Sequence, residues 1–300
     1  MFTDCFSNYK LPITNYKLSV DLPALLAPFI TGLTPAQLAQ VSTYLDLLTR
    51  WNAKMNLTSI RDPQHIASRH FGESFFLASH LCGPKGFFQL RNYEITKLPN
   101  QESPQAPALK PPELLDLGSG AGFPAIPLKI YRPDVTITLI EANHRKAVFL
   151  REVLRALQLD AEVKNVRAED LPPASADLVT FRAVERFESV LPTAARLVRS
   201  AEPDPQAGTE TDRTAASGNA PATSLDLTTG HPEGERSESE GSMDFTSGVT
   251  VQPSAAHGLA LLIGSAQISH AQTILPDWRF HPPIPIPKSQ NRVIQLLEPS

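Results

Sequence analysis

A chain of 300 residues with 41% hydrophobic and 19% charged residues has an ordinary globular balance and enough length for one large domain or two small ones. Cys5 and Cys82 are too few for a disulfide framework or a thiolate metal site, and no run of about 18 apolar residues is present to span a bilayer. The net charge of -4 argues against a uniformly basic nucleic-acid binder, but ten acidic and two basic residues between Ser200 and His257 leave the rest mildly basic, which is compatible with an RNA partner.

The N-terminus has no apolar stretch flanked by early positive charge, so the reading is a soluble, unexported, cytoplasmic protein. Residues 1–30, in which NYKL occurs twice, read as a flexible tail, and residues 31–82 as a helical subdomain. Thr34 suits an N-cap, Pro35 the first helical position and Gln37 the third, with Leu38, Val41, Tyr44, Leu45 and Leu48 on one stripe. A second helical stretch runs from Pro63 to His80. Residues 83–112, with prolines at 84, 99, 104, 107, 111 and 112, exceed an ordinary connection and read as an insertion.

From Glu113 strands and helices alternate. Strands are expected at Leu114–Leu117, Val135–Ile140, Ala161–Val166, Leu178–Phe181, Leu259–Ile263 and Val293–Leu297, with the clearest helix at His144–Leu159. The alternation implies an α/β fold with a mainly parallel sheet over residues 113–200 and 258–300. Residues 201–257 are acidic, rich in Ser, Thr, Gly, Pro and Ala and nearly free of aromatics, the composition of a disordered insertion.

In such a sheet the ligand crevice lies outside the carboxyl ends of the strands. Gly118, Gly120 and Gly122 follow the first strand, and Phe123 stands where a dinucleotide fingerprint wants its third glycine, which disfavours a dehydrogenase. A plain turn without ligand is the alternative reading. Glu141 ends the second strand, where a carboxylate can accept from a ribose diol. Ala168 and Glu169 follow the third, at the depth of an adenine ring, and Arg182 ends the fourth, where a guanidinium can hold a carboxylate or phosphate. Asn56, Arg69 and His70 would line the crevice if the helical part folds over it, although His70 shares an apolar stripe and reads first as a core residue. Lys129, Arg132, Arg145, Lys146, Arg151 and Arg155 are candidates for phosphate contact or simply solvated charges. The eight histidines show no paired metal-ligand spacing.

Together WNAKMNLTSIRDPQHIASRHFGES, LLDLGSGAGFPAIPLKIYRP, Glu141, VRAED and FRAV resemble, in order and spacing, the bacterial glucose-inhibited division protein B family, also called ribosomal RNA small subunit methyltransferase G. The resemblance implies a Rossmann-like class I methyltransferase with a mostly parallel seven-stranded sheet and an N-terminal helical extension. It implies S-adenosyl-L-methionine as methyl donor and 16S rRNA, free or in the small ribosomal subunit, as partner, with N7 of a guanosine (guanine 527 in the family) as acceptor. It further implies cofactor binding at Gly118, Phe123, Ala168, Glu169 and Arg182, to which the general methyltransferase pattern adds Gly120 and Glu141; no metal and no acid/base residue is implied. Two positions depart from the family pattern: Ile263 replaces a lysine before Gly264, and Glu73 replaces an aspartate. A class I methyltransferase for another RNA or a small molecule, and a catalytically impaired cofactor-binding module, remain as alternatives.

Overall fold

The computed structural model describes residues 20–82, 112–182, 187–199 and 257–300. The insertions expected at 83–112 and 201–257 lie outside these except for residues 112 and 257, as do residues 1–19 of the expected tail.

Helix α1 (Leu22–Leu26) is capped by Asp21, and its Leu22 and Leu26, with Phe29 and Ile30, are buried. Residues 20–30, expected to be tail, are therefore part of the core, because Gly72 leaves a site for the Phe29 ring that any Cβ would occupy at 2.5 Å. Helix α2 (Pro35–Met55) begins as expected, with the reciprocal Thr34–Gln37 capping box and Pro35 in the first turn. It ends where Asn56 takes a left-handed conformation at φ 49°. The second stretch holds three pieces: α3 (Pro63–Ile66), a π-helical turn (Ala67–Gly72) and α4 (Glu73–Cys82). A π turn shifts the side-chain register relative to a continuous α-helix, and such turns are frequent at functional sites.

The remaining elements are β1 (Glu113–Leu117), α5 (Ala125–Tyr131), β2 (Thr136–Ile140), α6 (His144–Leu157), β3 (Glu162–Lys164), β4 (Leu178–Arg182), α7 (Phe187–Leu197), β5 (Gly258–Gly264), α8 (Gln267–Ile274), β6 (Trp278–Phe280), β7 (Ile284–Pro285) and β8 (Arg292–Pro299). The sheet runs β3-β2-β1-β4-β5-β8-β6, with β7 also pairing β8. Five strands are parallel, and β8 returns antiparallel between β5 and β6. The path has the seven strands that the family resemblance implies; β6 and the two-residue β7 are absent from the strands read in the sequence, β7 being masked by Pro283, Pro285 and Pro287, which remove donors.

Each face of the sheet has its own core. Leu114, Leu139 and Leu262 join α1–α6 on one side, while Leu115, Leu117, Val179 and Leu261 join α7 and α8 on the other. The helical extension is tied to the sheet's covering layer by Gln37 donating to the Ile130 carbonyl, Gln40 to Leu157 and Arg132 to Cys82. Ile263, at the position of the family lysine, is 3% exposed and packs in the second core. Among the described residues no helix is long and apolar enough to cross a membrane.

Candidate functional site

The glycine turn after β1 meets the helical extension through Tyr44, Arg182 at the end of β4 meets it through Arg69 and Glu73, and Glu141 at the end of β2 meets the turn itself. Gly118, Gly120 and Gly122 all have positive φ, at 61°, 56° and 89°, which L side chains rarely adopt. Their surroundings differ. A Cβ on Gly120 would meet only the Gly118 carbonyl at 3.6 Å, leaving an open cradle, whereas one on Gly122 would strike the Tyr44 hydroxyl at 2.5 Å and Ile126 Cδ1 at 2.6 Å. Gly120 therefore faces room for a ligand, and Gly122 makes room for Tyr44.

Tyr44 is fully buried and donates its hydroxyl to the Ala121 carbonyl, and its ring stacks on Phe123 at 5.3 Å. His70 stacks on the same ring at 4.9 Å and Phe71 meets it edge-on at 5.0 Å. The Phe123 ring is consumed by packing, so this position can serve a ligand only through its backbone. Burial, with Asp116 beside it, pushes the Tyr44 phenol well above its ordinary range.

Glu141, 6% exposed, ends β2 as expected, but both its oxygens already accept backbone amides, from Gly120 at 2.9 Å and Asn143 at 2.7 Å. Ribose hydroxyls would share those oxygens, which ties the nucleoside site to the glycine turn. Ala168 and Glu169 form a single 3-10 turn after β3, with the Glu169 side chain exposed and its carbonyl accepting from Arg196.

Arg182 does not project freely into the crevice. Its Nη2 donates to the Arg69 carbonyl at 2.8 Å and to Glu73 Oε2 at 3.0 Å, and its side chain is 6% exposed. Arg292 lies 3.0 Å from the same Glu73 oxygen, and Arg69 Nε lies 3.7 Å from the other. Burial pulls both Arg182 and Arg292 below the usual arginine range; for Arg182, at about 10, the Glu73 charge works in the opposite direction. His70 sits among these cations, its Nε2 paired with Thr58 Oγ1 at 2.7 Å. Burial and the charges of Arg182, Arg292 and Arg69 push it down to about 2, so the imidazole is neutral. Asn56 stands apart: it is exposed and accepts from Arg61 at 2.6 Å.

Three site residues escaped the sequence reading. Asp116 is fully buried, neither carboxyl oxygen has a hydrogen-bond partner among the described residues, and burial pushes it up to about 7. An acid interrupting the apolar run LLDL was its signal. Arg292 had none and Glu73 only its departure from the family's aspartate, because both meet Arg182 only through the fold. Four of the phosphate candidates have structural partners instead: Lys129 is buried against the Pro133 and Val135 carbonyls, Arg132 pairs with Asp134, Arg151 reaches the Val163 carbonyl and Arg155 pairs with Glu152. Arg145 and Lys146 stay at the N-terminal end of α6.

The strand order, the glycine turn at the end of β1 and the acid at the end of β2 define a class I S-adenosylmethionine-dependent methyltransferase. The family model for rRNA small subunit methyltransferase G matches residues 37–86 and 104–203. Ribosomal RNA small subunit methyltransferase G of Xanthomonas euvesicatoria pv. vesicatoria is 36% identical over 170 residues, which cover 56% of this chain and 67% of that relative. The protein of the same name from Chloroflexus aggregans is 36% identical over 173 residues, covering 56% of this chain and 62% of its own. The chain belongs to the rRNA small subunit methyltransferase G family. A solved S-adenosylmethionine-dependent methyltransferase from Aquifex aeolicus aligns at 14% identity and TM-score 0.36, over 62% of this chain and 81% of that one.

Proposed function

We propose that this chain transfers a methyl group from S-adenosyl-L-methionine to N7 of a guanosine in 16S rRNA, guanine 527 in the family. The observation that carries the cofactor reading is the open cradle at Gly120, bonded through its amide to the Glu141 carboxylate. Gly118, Gly120 and the backbone at Phe123 would hold the methionine part, Glu141 the ribose, and Ala168 and Glu169 the adenine.

When bound, the cofactor supplies a methyl group on a positively charged sulfur. Guanine N7 carries a lone pair and no proton, so the chain needs no general base. A neutral His70 and a buried Asp116 are consistent with residues that position and exclude water, and positioning alone can supply about 7 kcal/mol or more of a barrier. Arg182, a cofactor position in the family, would serve the methionine end, with Arg69 and His70 beside it. The target base has to be unstacked or looped, since proteins reach such bases most readily.

The test is incubation of the purified chain with 16S rRNA and methyl-labelled cofactor, followed by borohydride and aniline cleavage, which cuts at 7-methylguanosine. Label and a single new cleavage site are expected. Label without cleavage would place the methyl on another atom, and no label would overturn the reaction.

A further inference from the structure

Arg182 reaches the helical extension through one terminal nitrogen. Its Nη2 donates to the Arg69 carbonyl at 2.8 Å and to Glu73 Oε2 at 3.0 Å, which uses both hydrogens of that atom. The π turn supplies the first acceptor: the Glu73 amide donates to the His70 carbonyl rather than to Arg69, four residues back, and the Arg69 carbonyl takes the guanidinium instead. Glu73 supplies the second and is buried. Arg292 lies 3.0 Å from the same oxygen and Arg69 Nε 3.7 Å from the other, and no other acid pairs with these three cations among the described residues. A guanidinium withdrawn from water is costly unless its N–H groups are bonded, and Arg182 Nη1 has no partner among the described residues. A carboxylate bound there would remove that cost, in keeping with the cofactor role that the family gives this position.

A contact made by one long side chain gains most when its conformation is fixed before the ligand arrives. We propose that Glu73 is a positioning residue for the cofactor, fixing the Arg182 guanidinium where it holds the carboxylate of the methionine end. This rests on the cofactor reading of Arg182 above. Arg292, on the same oxygen, ties that carboxylate to β8, so the anchor of Arg182 is itself held from a second strand. The helical extension is then part of the cofactor site, through a residue that acts only by way of Arg182.

The test uses two ligands that share adenosine and its sulfur but differ in the carboxylate: S-adenosylhomocysteine carries the amino-acid tail, and methylthioadenosine lacks it. Calorimetry gives both affinities for the full chain as wild type, Glu73→Asp, Glu73→Gln and Arg182→Lys. Glu73→Gln should lower the affinity for S-adenosylhomocysteine about tenfold, the loss of one charge-assisted contact. Glu73→Asp keeps the charge but draws it back by one methylene, and should lower that affinity about threefold. Both should bind methylthioadenosine within about twofold of wild type. Arg182→Lys should lose the preference as Glu73→Gln does, and the double variant should lose little more, since both act on one contact. An ion cluster that serves only the fold would lower both affinities together. That outcome, or a wild-type preference in the Glu73 variants while Arg182→Lys loses it, would overturn the proposal and leave the cofactor reading standing. A wild-type preference in Arg182→Lys would sink that reading as well. Should Glu73→Gln fail to fold, Glu73→Asp decides alone: a wild-type preference there overturns the proposal.

Discussion

Tyr44 shapes the glycine turn from a helix outside it. Its hydroxyl satisfies the buried Ala121 carbonyl, and its tip occupies the space that forces residue 122 to be glycine. Tyr44→Phe should cost about 1 to 3 kcal/mol in chemical denaturation, the cost of an unsatisfied buried carbonyl, and raise the KM for S-adenosylmethionine more than it lowers kcat. Two buried groups set opposing pH slopes. His70, held near 2, binds no proton in the folded state while the unfolded chain does below about 6.5, so its contribution to stability rises with pH up to there. Asp116, raised to about 7, keeps a proton that the unfolded chain has lost above about 4, so its contribution falls with pH across that window. Each slope is about 1.4 kcal/mol per pH unit at most, and they offset between about pH 4 and 6.5. Relative to wild type, denaturation midpoints of Asp116→Asn should climb with pH there and those of His70→Gln should fall; parallel curves would show that neither group is shifted. Of these residues, the sequence displayed Gly118 and Gly120 through their spacing, because a turn is local. Tyr44 was legible only as one tooth of an apolar stripe, since its hydroxyl partner lies 77 positions away.

Helices were the most readable elements: Thr34, Pro35 and Gln37 announce the start of α2 within four residues, and the apolar stripe of α6 marks its length. Helix α1 was not, being five residues long and stabilised by what it packs on. Phe29, 6% exposed against Gly72, links it to the π turn that carries Arg69 and His70. Phe29→Ala should lower stability by about 3 to 5 kcal/mol in a denaturant titration. A change below about 1 kcal/mol would mean that residues 20–30 do not anchor the extension. The short β6 and β7 escaped for a related reason: three and two residues give no periodicity, and their pairing with β8 is made by the sheet.

At the scale of the whole molecule, the strand order puts Gly118, Gly120, Glu141 and Arg182 at the carboxyl ends of the strands, while structural pairs hold the amino end of β4. There Asp177 accepts from Arg199 at 2.8 Å and from the Glu113 amide, and its carbonyl accepts from Gly258, while the Arg199 amide donates to Ala176. Arg199 and Gly258 thus bond to adjacent residues at the amino end of β4, so a short link could join them. Replacing residues 201–256 with a short glycine-serine linker should leave cofactor binding within about threefold of the full chain, because loop-closure entropy changes slowly with length. The fold class was legible because strand and helix alternation is a local pattern repeated along the chain; the Glu73 cluster was not, since its members come from the π turn, α4, β4 and β8. Nucleoside mass spectrometry of 16S rRNA from cells with and without this chain reads the acceptor atom most directly. The account predicts one 7-methylguanosine at the family's target position that disappears with the chain and returns with it, whereas an unchanged level of that nucleoside would contradict it.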